Sequence, residues 1–366
     1  MKPIKVNADY EVVLFTGQLA PKQLNEAIEF LPFFLENRPV LSSKNYAPEF
    51  LSYIDKLTGQ LPVTQSRGDS ENWWGDLKNL SLEKKLNSKI TSTEVLVKHQ
   101  WCEHTFVIDE DFDESRIKWD RHYIVKDPFG MSGQKFEILS GPKSVKDLVK
   151  KGPVILEPLF NRIHDFSHYI FPDGQTIAYQ NFVDSRFQYK GSFYLNRSEA
   201  TAPNLSFYSE INTESWKNFQ AQLETIIADY REMGASGGFS IDSFTYREDG
   251  LLKIRPMSEV NYRRTMGRVA FDLATRFAPE NGWTLFLLMK PQKFIDLKNK
   301  LESLLWTPEN KKGVIILSPG DSRFSMLYLV EENSPAGNAL IEKLNVLLPS
   351  GEFPVKLENN TPGFFG

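Results

Sequence analysis

The amino-acid sequence predicts a mixed protein, part α/β and part α+β. Three observations predict it. The first third alternates short apolar runs with amphipathic helical patterns, the centre is a series of alternating strands separated by turn residues, and the segment after Trp283 alternates strand and helix again. Residues 10–15, YEVVLF, read as a short apolar strand, and Pro21 then opens a helical pattern with Leu24, Ala27, Ile28 and Leu31 on one face. Residues 38–41 are a second strand. Pro48 starts a helix carrying Phe50, Leu51, Ile54 and Leu57, and over 58–75 the periodicity vanishes into a loop of Gly, Pro, Gln, Ser and Asp.

Helical patterns at 81–88 and 91–98 lead into alternating segments at 104–108 and 122–126, and this change of texture marks a first domain boundary. A Ser-x-x-Asp start caps a helix over 144–151, followed by a buried-strand pattern over 153–160. Strands at 166–171, 176–183 and 187–195, with turn signals at 172–174 and 190–191, then form a meander. The longest helix, 214–232, places Trp216, Phe219, Leu223, Ile226, Ile227 and Tyr230 at helical spacing. A hairpin follows, with strands 238–246 and 251–255 about a turn at Glu248-Asp249-Gly250, and a helix begins near Tyr262. Strands at 283–289, 313–317 and 324–331 and helices at 293–304 and 335–348 complete the chain.

Composition narrows the function. A chain of 366 residues holds two or three domains, and 41% hydrophobic with 25% charged residues is the composition of a soluble globular protein. The longest apolar runs, at 283–289 and 314–317, are far short of the roughly 20 residues that cross a bilayer, and no apolar leader stands at the N-terminus, so a cytoplasmic protein is expected. Lys+Arg 43 against Asp+Glu 47 leaves a net charge of −4, no footprint for nucleic acid or an anionic membrane. Any polyanion must therefore bind locally. Cys102 is the only cysteine, which excludes an internal disulfide. Nothing in the sequence sets an oligomeric state.

Three features can carry chemistry. Lys126-Asp-Pro-Phe-Gly130-Met-Ser132-Gly133 leaves a strand for a loop of small residues, whose N–H groups can face a phosphate beside the Lys charge. An ordinary turn with a solvated Lys has the same composition, and the order is not that of a Walker A loop. Glu157 interrupts an apolar strand and Asp165 follows eight positions on, a pattern shared by a solvent-facing edge strand and by a hinge that reads a nucleobase and a ribose diol. In the third, Glu259 and Asn261 project from one face of extended chain, Asp242 can stand beside them across the hairpin, and Arg263 is two further on. Such oxygen ligands suit Mg²⁺, which binds through one or two carboxylates and completes its shell with water and nucleotide phosphates.

Taken in this order, the features resemble the ATP-grasp superfamily over about residues 81–267, with the preceding α/β unit similar to that family's N-terminal domain. The resemblance implies an ATP-grasp fold in which residues 1–98 form a small N-terminal domain, 99–156 a small subdomain with the phosphate loop, and 157–366 a large subdomain with the metal site and a C-terminal extension. It implies that Lys89, Lys126, Gly130, Ser132, Gly133, Glu157 and Asp165 bind ATP. It gives Asp242, Glu259 and Asn261 to Mg²⁺ or Mn²⁺ and makes Arg263 catalytic. The implied reaction joins a small-molecule or peptide carboxylate to an amine through an acyl phosphate, with Arg186 and Lys190 as candidate carboxylate anchors at a turn of the meander. A phosphotransferase and an inactive nucleotide-binding module are the alternatives.

Other motifs compete less well. His164 and His168 mimic a zinc-hydrolase helix, but their surroundings read as strand, where residues four apart lie about 13 Å from each other. His99, Cys102 and His104 lack a fourth ligand.

Overall fold

The computed structural model describes residues 1–18, 23–130, 136–184, 187–196, 205, 210–280, 282–332 and 339–348. Its architecture is mixed, as the sequence predicts: one parallel sheet and two antiparallel sheets, with helices between and upon them.

The N-terminal sheet is a parallel β3-β2-β1-β4 array of two-residue strands: β1 Ile4–Lys5, β2 Val40–Leu41, β3 Thr64–Gln65 and β4 Glu71–Asn72. Between them lie α1 (Tyr10–Thr16), α2 (Gln23–Glu26) and α3 (Pro48–Thr58). The expected strand at 10–15 is thus the helix α1. Its buried residues, Tyr10 and Leu14, are one helical turn apart, and the Val residues between them stay half-buried. The helix expected from Pro21 is also shorter than its pattern: after α2 the chain makes a 3₁₀ turn at Leu31–Phe34, where Pro32 removes a donor. The expected loop at 58–75 holds β3 and β4 within otherwise irregular chain.

Helices α4 (Leu80–Leu86) and α5 (Lys89–Lys98) are capped by Asn79 and Ser88, whose side chains accept from the N–H groups of Leu82 and Ile90. The small antiparallel sheet, ordered β5-β8-β6-β7, contains β5 Phe106–Ile108, β6 Tyr123–Lys126, β7 Phe136–Leu139 and β8 Val154–Pro158, with α6 (Val145–Leu148) before β8.

The large sheet has eight antiparallel strands in the order β13-β12-β9-β10-β11-β14-β16-β15. Its strands are β9 Arg162–Ile170, β10 Thr176–Val183, β11 Tyr189–Asn196, β12 Phe239–Glu248, β13 Leu251–Asn261, β14 Gly282–Met289, β15 Gly313–Ile316 and β16 Ser325–Glu332. Helices α7 (Thr213–Glu232), α8 (Met266–Phe277), α9 (Phe294–Leu301) and α10 (Ala339–Leu347) accompany it. The turn expected at Lys190-Gly191 lies inside β11. Gly191 is needed there for close approach: a Cβ on it would stand 2.2 Å from the Phe286 carbonyl of β14. Strand β13 likewise runs six residues past the expected end, so Glu259 and Asn261 are within the sheet.

Side-chain burial divides into layers. Helix α7 packs Trp216, Phe219 and Ile226 against Phe166, Ile170 and Ile241 on one face of the large sheet. Residues of opposite parity, Asp165, Ser167 and Asp242, are left for the other face, which lines a cleft. A second cluster joins Ile4, Phe34 and Phe50 of the N-terminal unit to Phe286 and Leu327 of β14 and β16. Among the described residues, no helix is long and apolar enough to cross a membrane.

Candidate active site

One cleft of about 1070 Å³ opens between β6 and β8 of the small sheet, the polar face of the large sheet and the helices α1 and α2. All ten described residues singled out in the sequence line it: Lys89, Lys126, Gly130, Glu157, Asp165, Lys190, Asp242, Glu259, Asn261 and Arg263. Ser132, Gly133 and Arg186 lie outside the described residues.

At one end, Lys126 closes β6 and Glu157 stands on the neighbouring β8, where Ile124 is the direct partner of Glu157 and Ile155 that of Lys126. This diagonal lets the two side chains form an ion pair. Glu157 is buried, not solvent-facing. Burial alone would raise its carboxyl, but Lys126 beside it and Arg255, whose Nη2 is 3.7 Å from Oε2, hold it below the usual range. Burial in turn pulls the Lys126 ammonium down. Asp165 on β9 pairs with Arg162, whose guanidinium lies 4.3 Å from the ring centre of Phe244 and 5.3 Å from that of Phe187.

At the other end, Asp242 and Glu259 are direct cross-strand partners. They are seventeen residues apart, and a regular hairpin through the closing pair Glu248 and Leu251 would set Met257 opposite Asp242. A bulge supplies the difference. Three residues of β13, Pro256–Ser258 by number, oppose Ser243 alone, and Ser243 Oγ donates to the Pro256 carbonyl at 2.8 Å. Because the shift is two residues, the side chains keep their face.

Asp242 accepts from Ser167 Oγ at 2.7 Å, Ser240 Oγ at 3.1 Å and Asn261 Nδ2 at 2.9 Å. Burial, then the neighbouring Glu259 carboxylate, pushes its carboxyl up to about 6. Burial would raise Glu259 as well, but Lys89, the first residue of α5, pairs with it and holds it low. Lys89 Nζ also donates to the Gly130 carbonyl at 2.7 Å. Among the described residues, no three His, Cys, Asp or Glu side chains converge to hold a metal alone. The donor set that is present, two cross-strand carboxylates with an amide beside them, is of the oxygen type suited to a hard cation that takes its remaining ligands from phosphates and water.

Arg263 lies two residues past β13. Its Nη2 donates to Glu11 Oε1 at 2.7 Å and Asn261 Oδ1 at 3.0 Å, its Nη1 to the Arg264 carbonyl at 3.1 Å, and its guanidinium lies 5.5 Å from the ring centre of Trp74. Burial opposes the charge, but Glu11 raises it on balance. Lys190 pairs with Asp184 at 3.1 Å. Between these groups a polar row crosses the sheet: Ser192 Oγ donates to Asn181 Oδ1 at 2.9 Å, and Asn181 Nδ2 to Ser167 Oγ at 2.6 Å.

Sequence reasoning missed Glu11, Trp74, Arg162, Ser167 and Asn181. Ser167 could have been found, since it is two residues from Asp165 and so shares its strand face. Glu11 could not, while 10–15 read as strand. The His pair stands elsewhere. His164 and His168 flank Phe166 on β9, and His168 packs on Phe219 of α7 at 5.4 Å, where burial lowers its imidazole to about 4. His99 instead meets Asp229 at 2.7 Å, and burial raises the Cys102 thiol.

No protein-family model matches the chain, and no curated protein matches it significantly. Among solved structures it is similar to an ADP complex of N5-carboxyaminoimidazole ribonucleotide synthetase, with TM-score 0.47 and 13% identity over 73% of this chain and 71% of that one. N5-carboxyaminoimidazole synthetase from Staphylococcus aureus with ADP gives 0.46 and 14% over 76% and 74%. Biotin carboxylase from Campylobacter jejuni with an ATP analogue gives 0.45 and 11% over 74% and 67%. At such identities and TM-scores the likeness carries no argument about chemistry, which rests on the side chains of this chain.

Proposed function

We propose that the chain is an ATP-dependent carboxylate–amine ligase of the ATP-grasp superfamily, its nucleotide held between a small subdomain, 99–156, and a large one, 157–366, beside an N-terminal domain, 1–98. The observation that carries this reading is the convergence on one cleft of two lysines, two cross-strand carboxylates and an arginine from separate segments of the chain. Lys89 and Lys126 turn from Glu259 and Glu157 to the phosphates, Glu157 and Asp165 face the nucleoside, and Asp242, Glu259 and Asn261 hold Mg²⁺ or Mn²⁺. The ion, when bound, neutralises phosphate charge. A substrate carboxylate oxygen attacks the γ-phosphorus as the bond to ADP breaks. An amine then attacks the acyl carbon, phosphate leaves with the C–O bond pair, and the amine loses a proton. The Arg263 guanidinium, held beside Glu11 and Asn261, stabilises the charge that develops in both steps. Lys190 is a carboxylate anchor, and Lys290 and Arg323, at the same end of adjacent strands, also line the cleft.

Arg263→Lys tests the assignment. It should retain Mg·ATP affinity and lose on the order of a hundredfold in turnover, the usual cost of one such donor. After amino acids and short peptides are screened for ADP release, hydroxylamine in place of the amine should trap a hydroxamate. A stable phosphate ester without hydroxamate would make the chain a phosphotransferase. Mg·ATP binding with no turnover across the screen would leave only a nucleotide-binding module.

A further inference from the structure

We infer that Glu11 is the positioning residue of Arg263, so that the N-terminal unit helps to build the acyl-transfer centre. This rests on the ligase reading for its consequence and on geometry for its substance. Three consecutive residues just past β13 are tied to three separate N-terminal segments. The Tyr262 N–H donates to Asn87 Oδ1 at 2.9 Å, Arg263 Nη2 to Glu11 Oε1 at 2.7 Å, and the Arg264 N–H to the Trp74 carbonyl at 2.8 Å. Asn87 carries the tie back to α1, because its Nδ2 donates to the Tyr10 hydroxyl at 3.2 Å, and that hydroxyl donates to Glu83 at 2.7 Å. Glu11 is therefore presented by an anchored helix. A mobile surface side chain would not hold an orientation.

The acceptors of Arg263 are not equivalent. The Arg264 carbonyl is neutral, and Asn261 belongs to the proposed metal set, so its amide is engaged with Asp242 as well. Glu11 is the charged acceptor outside that set, and its side chain and that of Arg263 are only 15% and 13% exposed. A largely buried carboxylate at 2.7 Å keeps the guanidinium aimed whatever the amide of Asn261 does. Nε of Arg263 is buried without a partner, so the hold on the group comes through its two terminal nitrogens.

The test uses the full chain and two variants, Glu11→Gln, which keeps shape but removes charge, and Glu11→Asp, which keeps charge at shorter reach. Phenylglyoxal labelling at Arg263, read by peptide mass spectrometry, should be about tenfold faster in Glu11→Gln, while Arg255, paired with Glu157, labels as in the wild type. At saturating Mg·ATP, ADP release with the substrates found by the screen should fall about tenfold with KM for ATP unchanged, and Glu11→Asp should recover part of both effects. Wild-type labelling and turnover in Glu11→Gln would overturn the inference. Absence of Mg·ATP binding in the wild type would instead remove the ligase reading, and the labelling would still decide whether Glu11 orients Arg263.

Discussion

His168 is a buried base with no compensating charge. It stands on β9 against Trp216 and Phe219, and burial alone holds its imidazole near 4. The unfolded chain takes up that proton near 6.5. Above 6.5 both states are neutral and the contribution to stability is complete. As pH falls from 6.5 to 4, the unfolded state binds a proton that the folded state refuses, and on the order of 3 kcal/mol is lost. His168→Phe should fit the aromatic cluster and flatten this part of the curve, and carboxylates titrating in the same window are common to both proteins. Urea unfolding from pH 7 to pH 4 measures it. Equal slopes would show that the imidazole is not held neutral. At this scale much of the candidate site was legible, because Lys126, Glu157, Asp242, Glu259 and Asn261 announce themselves as polar residues in or beside apolar strands. Their partners were not: Arg162 and Glu11 are ordinary charged residues until the fold brings them to Asp165 and Arg263.

At the scale of elements, what could be read from sequence depended on whether one period dominated. The meander and the long helix α7 were legible because strands of eight or nine residues and five helical turns leave little ambiguity. Helix α1 was not, since seven residues rich in Tyr, Val and Phe have strand composition, and only the spacing of Tyr10 and Leu14 marks a helix. The bulge in β13 was hidden for a similar reason: a two-residue shift preserves the alternation that sequence reveals. The start of α8 shows how closely elements meet behind Asp242 and Asn261. Tyr179 OH lies 3.1 Å from Ser240 Oγ and 3.0 Å from Thr265 Oγ1, and Thr265 caps α8 by accepting from the Arg268 N–H. Gly267 then passes over the Tyr179 ring, where a Cβ would fall 1.8 Å from a ring carbon. The ring is fully buried and cannot yield freely. Gly267→Ala should therefore destabilise by about 1–3 kcal/mol through overpacking, although Ala is the better helix former. An unchanged urea midpoint would mean that α8 can slide, and that Tyr179 does not fix its distance from the sheet.

Over the whole molecule, charge and packing bear on the same cleft. The chain carries a net charge of −4, yet the cleft is largely self-neutralised: Lys126 and Arg255 face Glu157, Arg162 faces Asp165, Lys89 faces Glu259 and Arg263 faces Glu11. Asp242 differs, held by the neutral donors Ser167, Ser240 and Asn261. The core that joins Ile4 and Phe50 to Phe286 and Leu327 keeps the N-terminal unit, with Glu11, against the large sheet. A nucleotide arriving without a metal thus meets cations already engaged, and Lys89 in turning to a phosphate gives up its pairing with Glu259, the cross-strand neighbour of Asp242. In the proposed site a divalent cation beside Asp242 and Glu259 would replace that pairing and share the phosphate charge. Mg·ATP should accordingly stabilise the protein by about 2.7 kcal/mol at a hundredfold excess over Kd, a rise of a few degrees in Tm. With EDTA the same ATP concentration should give less than half that rise, and Asp242→Asn should lose most of the difference between the two conditions. Equal shifts from Mg·ATP and metal-free ATP would take the ion away from Asp242 and Glu259 and leave the nucleotide to the lysines alone.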